Sequence, residues 1–200
     1  MPRLTSGVRS TTNSSLIIDA GAVYINLGLA DERLLGATSG GNQFTLETEF
    51  HTPEIDSVRG AVKGTSRIVA AKAILKTNLI EVTTDNLELA LPGTDPATAS
   101  APASIVVGAP LGTAAANAHT KFTRTRRLQD TDYIANIAIV GEVSGKAENI
   151  IIILKNTLAL GNLELGFEDK GEVILPVEFT AHYDPAAPTL EPWEFYYPNS

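Results

Sequence analysis

The residues in this chain able to act on a substrate are three histidines, a few paired carboxylates and many serines. His51, His119 and His182 lie on three separate segments with no local partner spacing of the kind that brings imidazoles to one metal ion. A histidine on the polar face of a strand accounts for each of them. Serines crowd the loops, and neither a GxSxG elbow nor a P-loop is present. Glu47/Glu49 and Glu168/Asp169 are paired acids, as a glycosidase would require. Acids two apart on one strand face are more simply read as solvated surface. With zero cysteines the chain has no disulfide scaffold, thiolate zinc site, iron–sulfur cluster or Cys nucleophile. The expectation is therefore a protein that is not an enzyme and needs no cofactor and no metal.

Two other features stand out. Lys121, Arg124, Arg126 and Arg127 place four cations within seven residues of a chain whose net charge is −8. On a strand, Arg124 and Arg126 would share one face and Lys121 and Arg127 the other. Such a strip suits an acidic partner surface, including a second copy of the same chain; a solvated charged strand is the plainer alternative. Near the C-terminus, PWEFYY supplies Trp193, Phe195, Tyr196 and Tyr197. These aromatics either pack on their own domain or anchor an interface.

The elements that must carry these residues are mostly strands. Residues 1–15 are polar and read as an N-terminal arm that folds only against a partner. Leu16–Asp19 and Ala22–Leu27 are short strand candidates, followed by a loop from Gly28 to Gly41. The clearest pattern is NQFTLETEFHT, in which Phe44, Leu46, Thr48 and Phe50 alternate with Thr45, Glu47, Glu49 and His51. That is a strand with an apolar face, expected in the core, and an acidic one. Pro53–Gly64 reads as a hairpin tip, and Arg67–Asn78 as the returning strand.

Ile80–Leu91 is a helix candidate, with Asp85 as N-cap, Glu88 three residues on, and Pro92-Gly93 as the stop. Residues 94–120 are rich in Ala, Thr, Pro and Gly and read as a long loop or insertion lying along a neighbouring subunit. Strands are expected again at Phe122–Leu128, Tyr133–Val143, Asn149–Lys155, Leu163–Phe167 and Val173–Tyr183. Pro176 marks a sheet edge or bulge in the last of these. Roughly nine strands and one helix give a mainly-β fold of two packed sheets, a sandwich or open barrel with a flanking helix.

At 200 residues, with 44% hydrophobic and 19% charged side chains, the chain suits a single domain over 16–200 with a real core. The acidic balance disfavours ordinary high-affinity binding to duplex DNA. The longest apolar run, Ile150–Leu154, is five residues, far short of the ~20 of a membrane span. The polar N-terminus lacks the apolar stretch of a signal peptide, so a soluble protein made in the cytoplasm is expected.

The order GAVYINLG, DERLLGATSGGNQFTLETEF and IDSVRGAVKG resembles the major tail tube proteins of long-tailed bacteriophages. So do the later segments DTDYIANIAIVGE, ENIIIILKN and VILPVEFTAHYDPAAP ahead of PWEF. The likeness covers residues 20–91 and 128–198 and leaves out 94–120. It implies two packed β-sheets with a flanking helix, and a subunit that forms hexameric rings stacked into a hollow tube for DNA ejection. The implied partners are other copies of the chain and the tape-measure, tail-terminator and tail-tip proteins, with duplex DNA passing through unbound. The implied location is the virion tail, after synthesis in the bacterial host cytoplasm.

By the same resemblance the hairpin Phe44–Thr77 contributes to the inner barrel and reaches the next ring. Its tip residues Pro53, Glu54, Asp56, Arg59 and Lys63 would make the inter-ring contact, and Glu47 and Glu49 would face the lumen. Lys121, Arg124, Arg126 and Arg127 would meet a neighbouring subunit. The alternatives are a tube subunit of a contractile tail or secretion device, a capsid-decorating protein, or a carbohydrate-binding β-sandwich using Trp193, Tyr196 and Tyr197 as a stacking platform.

Overall fold

A strand called β8, Ile150–Ala159, organises the molecule because it joins the two halves of the large sheet. The computed structural model describes residues 12–17, 19–99, 119–125, 127–167 and 169–199. Most of the expected arm (1–11), much of the small-residue stretch (100–118), Arg126 and Glu168 lie outside the described residues. The remaining strands are β1 (Ala22–Ile25), β2 (Arg33–Leu34), β3 (Gln43–His51), β4 (Arg67–Leu79), β5 (Thr94–Ala99) and β6 (His119–Arg124). They continue with β7 (Ile134–Gly141), β9 (Leu175–Thr180) and β10 (Trp193–Tyr196). The helix α1 is Thr84–Ala90.

The large antiparallel sheet runs β2-β1-β7-β8-β9-β4-β3, with β10 also on β8, and β5-β6 form a small second sheet. On one flank of β8, Ile151–Leu154 pair with β10, and Leu158 and Ala159 then pair with β9. Asn156 lies between the two partners in the left-handed region at φ 47°. There the strand passes from one half of the large sheet into the other. His182 closes the gap: its N–H donates to the Lys155 carbonyl at 3.3 Å, and its Nδ1 lies 3.1 Å from the Asn156 carbonyl.

The inner faces meet in one core. Ile25, Ile137 and Leu154 come from one side, and Leu75, Leu79, Leu175 and Phe179 from the other. Each such side chain contributes roughly 1.5–3 kcal/mol by leaving water. Of the face expected on the last strand, Val173, Leu175, Val177, Phe179, Ala181 and Tyr183, the four from Leu175 to Ala181 are buried, whereas Val173 is half-buried, Tyr183 is exposed, and the strand itself spans only Leu175–Thr180. Pro176 sits opposite Asn78 of β4, in the part of β9 that β8 does not reach. The missing N–H therefore interrupts only an open flank, as its position in the sequence suggested.

Several expectations need correction. The helix starts at Thr84 rather than near Ile80, and its N-cap is Thr83, whose Oγ1 accepts from the Asn86 N–H at 3.2 Å. Asp85 falls in the first turn instead. The cap position is set from afar, because the buried Asn86 amide donates to the carbonyls of Leu35 and Glu81, each at 3.0 Å. The stretch 94–120 is not loop throughout: Thr94–Ala99 pairs residue by residue with His119–Arg124. The strand expected at Phe122–Leu128 is thus shifted towards its N-terminal side. Leu16–Asp19 yields one bridge, Ile17 to Val143. The 28–41 loop contains β2, and Leu163–Phe167 forms no strand.

Candidate functional site

The long hairpin is built on a clamp at its base. Asn42 donates through Nδ2 to the carbonyls of Ala20 and Gly21 at 3.0 and 2.9 Å, and its Oδ1 accepts from the buried Thr77 hydroxyl at 2.7 Å. This ties the start of β3 and the end of β4 to the loop before β1. From there β3 and β4 run out together in register, Phe44 opposite Leu75, Leu46 opposite Ala73, Thr48 opposite Ala71 and Phe50 opposite Ile68. A bulge between Glu49 and Phe50 leaves Val69 as the extra residue on β4.

One face is apolar along its length except at Thr48, yet the core covers only its base. Phe44 packs against the core and Leu75 and Ala73 are buried in it. Leu46 is 38% exposed, Phe50 66%, Ile68 63% and Val69 61%. Phe44, Leu46 and Phe50 were expected to enter the core together, and only Phe44 does. The strand β4 has 13 residues, about 43 Å of chain, and its outer Arg67–Lys72 carries the hairpin about 20 Å beyond the buried part. Among the described residues, no second layer covers that extension.

The other face carries the charge. Glu47 stands opposite Lys72, Glu49 opposite Ala70 and His51 opposite Arg67. Glu47, Glu49 and Lys72 are exposed, and the ion pairs among the described residues are elsewhere, Lys76–Glu178 at 3.0 Å and Lys155–Glu194. The outer flank of β3 pairs with nothing among the described residues, leaving a nine-residue free edge. The tip is held by the hydroxyls of Thr52 and Ser66, 2.8 Å apart, and by turns with positive φ at Ser57 and Gly64. Pro53, Glu54, Asp56, Arg59 and Lys63 are all exposed there, beside half-exposed Ile55 and Val58.

The remaining candidate residues are scattered. Lys121 and Arg124 lie exposed on β6, which ends at Arg124, and Arg127 is exposed beyond the strand, while Arg126 lies outside the described residues. Thr125 turns the chain by donating from N–H and Oγ1 to the Gly93 carbonyl at 2.7 and 3.0 Å. His51 ends β3, His119 begins β6, and His182 stands edge-on to Tyr133 at 5.2 Å. Among the described residues, no group of three or more His, Asp or Glu side chains is placed to hold a metal ion. No helix in them is long and apolar enough to cross a membrane.

The C-terminal aromatics divide. Trp193 packs against the core, whereas Phe195, Tyr196 and Tyr197 stay exposed. Glu194 takes hydrogen bonds from Lys155 and from the Tyr196 hydroxyl, and these hold its carboxyl below the usual carboxylate value. The Tyr196 phenol is raised in turn by its bond to Glu194. Sequence reasoning missed Asn42, Thr77 and Asn156, which position the hairpin and the β8 corner. Only the polar Asn at the mouth of a strand hinted at the first of these.

No family model matches the chain, and no curated protein matches it. Among solved structures it is similar to a chain of the virion of native gene transfer agent (GTA) particle, at 8% identity over 89% of this chain and 96% of that chain, with a TM-score of 0.43.

Proposed function

We propose that this chain is a structural virion protein that assembles with itself into stacked hexameric rings, forming the tube of a phage tail through which DNA is ejected. On this reading it is not an enzyme. The observation that carries the proposal is the projecting β3–β4 hairpin, whose apolar face has no cover beyond its base. A contiguous apolar face held out on a clamped, regular hairpin is a contact surface waiting for a partner. The free β3 flank beside it lets sheets of neighbouring copies join, which removes their edges. The ordered resemblance to tail tube proteins supports a further copy of the same chain as that partner. The acidic row Glu47 and Glu49 suits a conduit, since a wall that repels phosphate lets a duplex slide.

Negative-stain microscopy and sedimentation of the purified protein over a range of concentration and salt test this directly. Rings or tubes of uniform diameter are the expected outcome. A chain that stays monomeric in every condition, including after seeding with tail-tip complexes, overturns it.

A further inference from the structure

Leu163–Phe167 has the side-chain pattern of a strand and no ladder. Leu163 and Leu165 are half-buried against the core, while Asn162, Glu164 and Gly166 between them are exposed. Phe167, at 83% exposure, is open to solvent at the end of the stretch. No hydrogen bond among the described residues reaches the backbone of Asn162–Phe167. The segment is thus positioned by its leucines, with its peptide groups free for another chain.

Among the described residues, β3, β5 and β6 have a free flank of six residues or more, and β10 one of four. Charge separates them. The segment and its continuation carry Glu164, Glu168, Asp169 and Glu172 against Lys170. The flank of β3 presents Glu47 and Glu49, β5 has Asp95 and lacks an N–H at Pro96, and the one charge on β10 is Glu194. Only β6 is basic, with Lys121 and Arg124 and no acid, and its Arg127 neighbour adds a further cation. Opposite charges across an interface fix register and exclude wrong partners.

We infer that Asn162–Phe167 of one copy adds as a strand to the free flank of β6 in a second copy. This rests on the self-assembly reading and names the elements that meet. It gives the basic strip a partner, supplies the unpaired backbone with a ladder, and places Phe167 at a subunit boundary.

Because the chain has no cysteine, cross-linking gives a clean test. Copies carrying Glu164→Cys are mixed under assembly conditions with a size-tagged copy carrying Cys at Thr120, Lys121, Phe122 or Thr123, then oxidised. Side chains on one face of paired strands lie within disulfide reach and those on the other face do not. The expected result is a heterodimer yield that alternates with a two-residue period, several-fold stronger at 121 and 123 than at 120 and 122, or the reverse. Alternation without rings or tubes supports this strand pairing and overturns the tube reading. Rings or tubes with a flat or absent cross-linking profile overturn the pairing and leave the tube reading standing. Monomers alone, with no cross-link at any position, overturn both.

Discussion

Phe50→Ala isolates the hairpin face from the stability of the subunit. Phe50 is 66% exposed, and a whole Phe side chain is roughly 200 Å², so about 130 Å² remains wet in the isolated chain. Covering that area in an assembly yields about 3 kcal/mol at about 25 cal/mol per Å². Alanine retains a small part of the contact, leaving a loss of about 2–3 kcal/mol for each hairpin seated. The concentration at which assembly begins should then rise roughly 30- to 150-fold. The free subunit should scarcely notice, because the ring makes no core contact and exposed changes usually cost under about 0.5 kcal/mol. Pelleting assays across a dilution series give the first quantity, and urea unfolding of the dilute protein gives the second. An unchanged assembly threshold in a normally folded Phe50→Ala protein refutes the idea that this face is a contact. A large loss of subunit stability would place Phe50 in the core and refute the geometry.

Reversing Arg59 and Lys63 to Glu at the hairpin tip should block stacking of rings while leaving the subunit folded, as microscopy beside circular dichroism would show. Glu47→Lys with Glu49→Lys should preserve assembly yet slow DNA ejection, since each lysine becomes a phosphate contact; ejection at wild-type speed would remove these acids from the channel. Thr83→Ala deletes the helix cap and should cost about 1 kcal/mol, lowering the melting midpoint by about 2–4 °C. The Glu194 carboxyl is held low by Lys155 and then Tyr196, so its contribution to stability is present above its unfolded pKa and lost as pH falls through its lower folded value. The gap in melting temperature between wild type and Glu194→Gln should therefore be present at neutral pH and close on acidification through that window. A gap that stays constant at all pH would mean that the ion pair does not operate.

What was legible in the sequence depended on how local its cause was. The β3 and β4 strands, the face Leu175–Val177–Phe179 and the edge position of Pro176 follow from alternation and from proline's missing donor, which neighbouring residues determine. The helix boundary did not follow, because Thr83 and Asp85 are both good caps and the choice is made by a buried amide reaching Leu35, some fifty residues away. The strand β5 was hidden because Thr, Pro and Ala give no hydrophobic period; it exists by pairing with β6. Leu163–Phe167 failed in the opposite direction, its alternation genuine but its ladder absent. Alternation states which side chains share a face, and nothing in it states whether a neighbour covers that face. The same gap explains why Phe50 looked like a core residue.

A long free edge beside a bare apolar face is an aggregation hazard unless the approach of other chains is restricted. Three features of this hairpin restrict it. The bulge opposite Glu49/Phe50, with its extra residue Val69 on β4, bends and twists the hairpin, so β3 is not the flat edge that an arbitrary strand would need. Glu47 and Glu49 repel an identical edge in antiparallel approach, which discourages β3 from pairing with β3. The clamp of Asn42 and Thr77 fixes the angle at which the hairpin leaves the body, so its apolar face points in one direction relative to the sheet. Together these favour head-to-tail contact between unlike surfaces over symmetric pairing of like ones. Head-to-tail contact closes into rings or continues as filaments, whereas like-with-like contact stops at a dimer. A hairpin clamped in this way therefore fits repeated assembly better than a simple dimer.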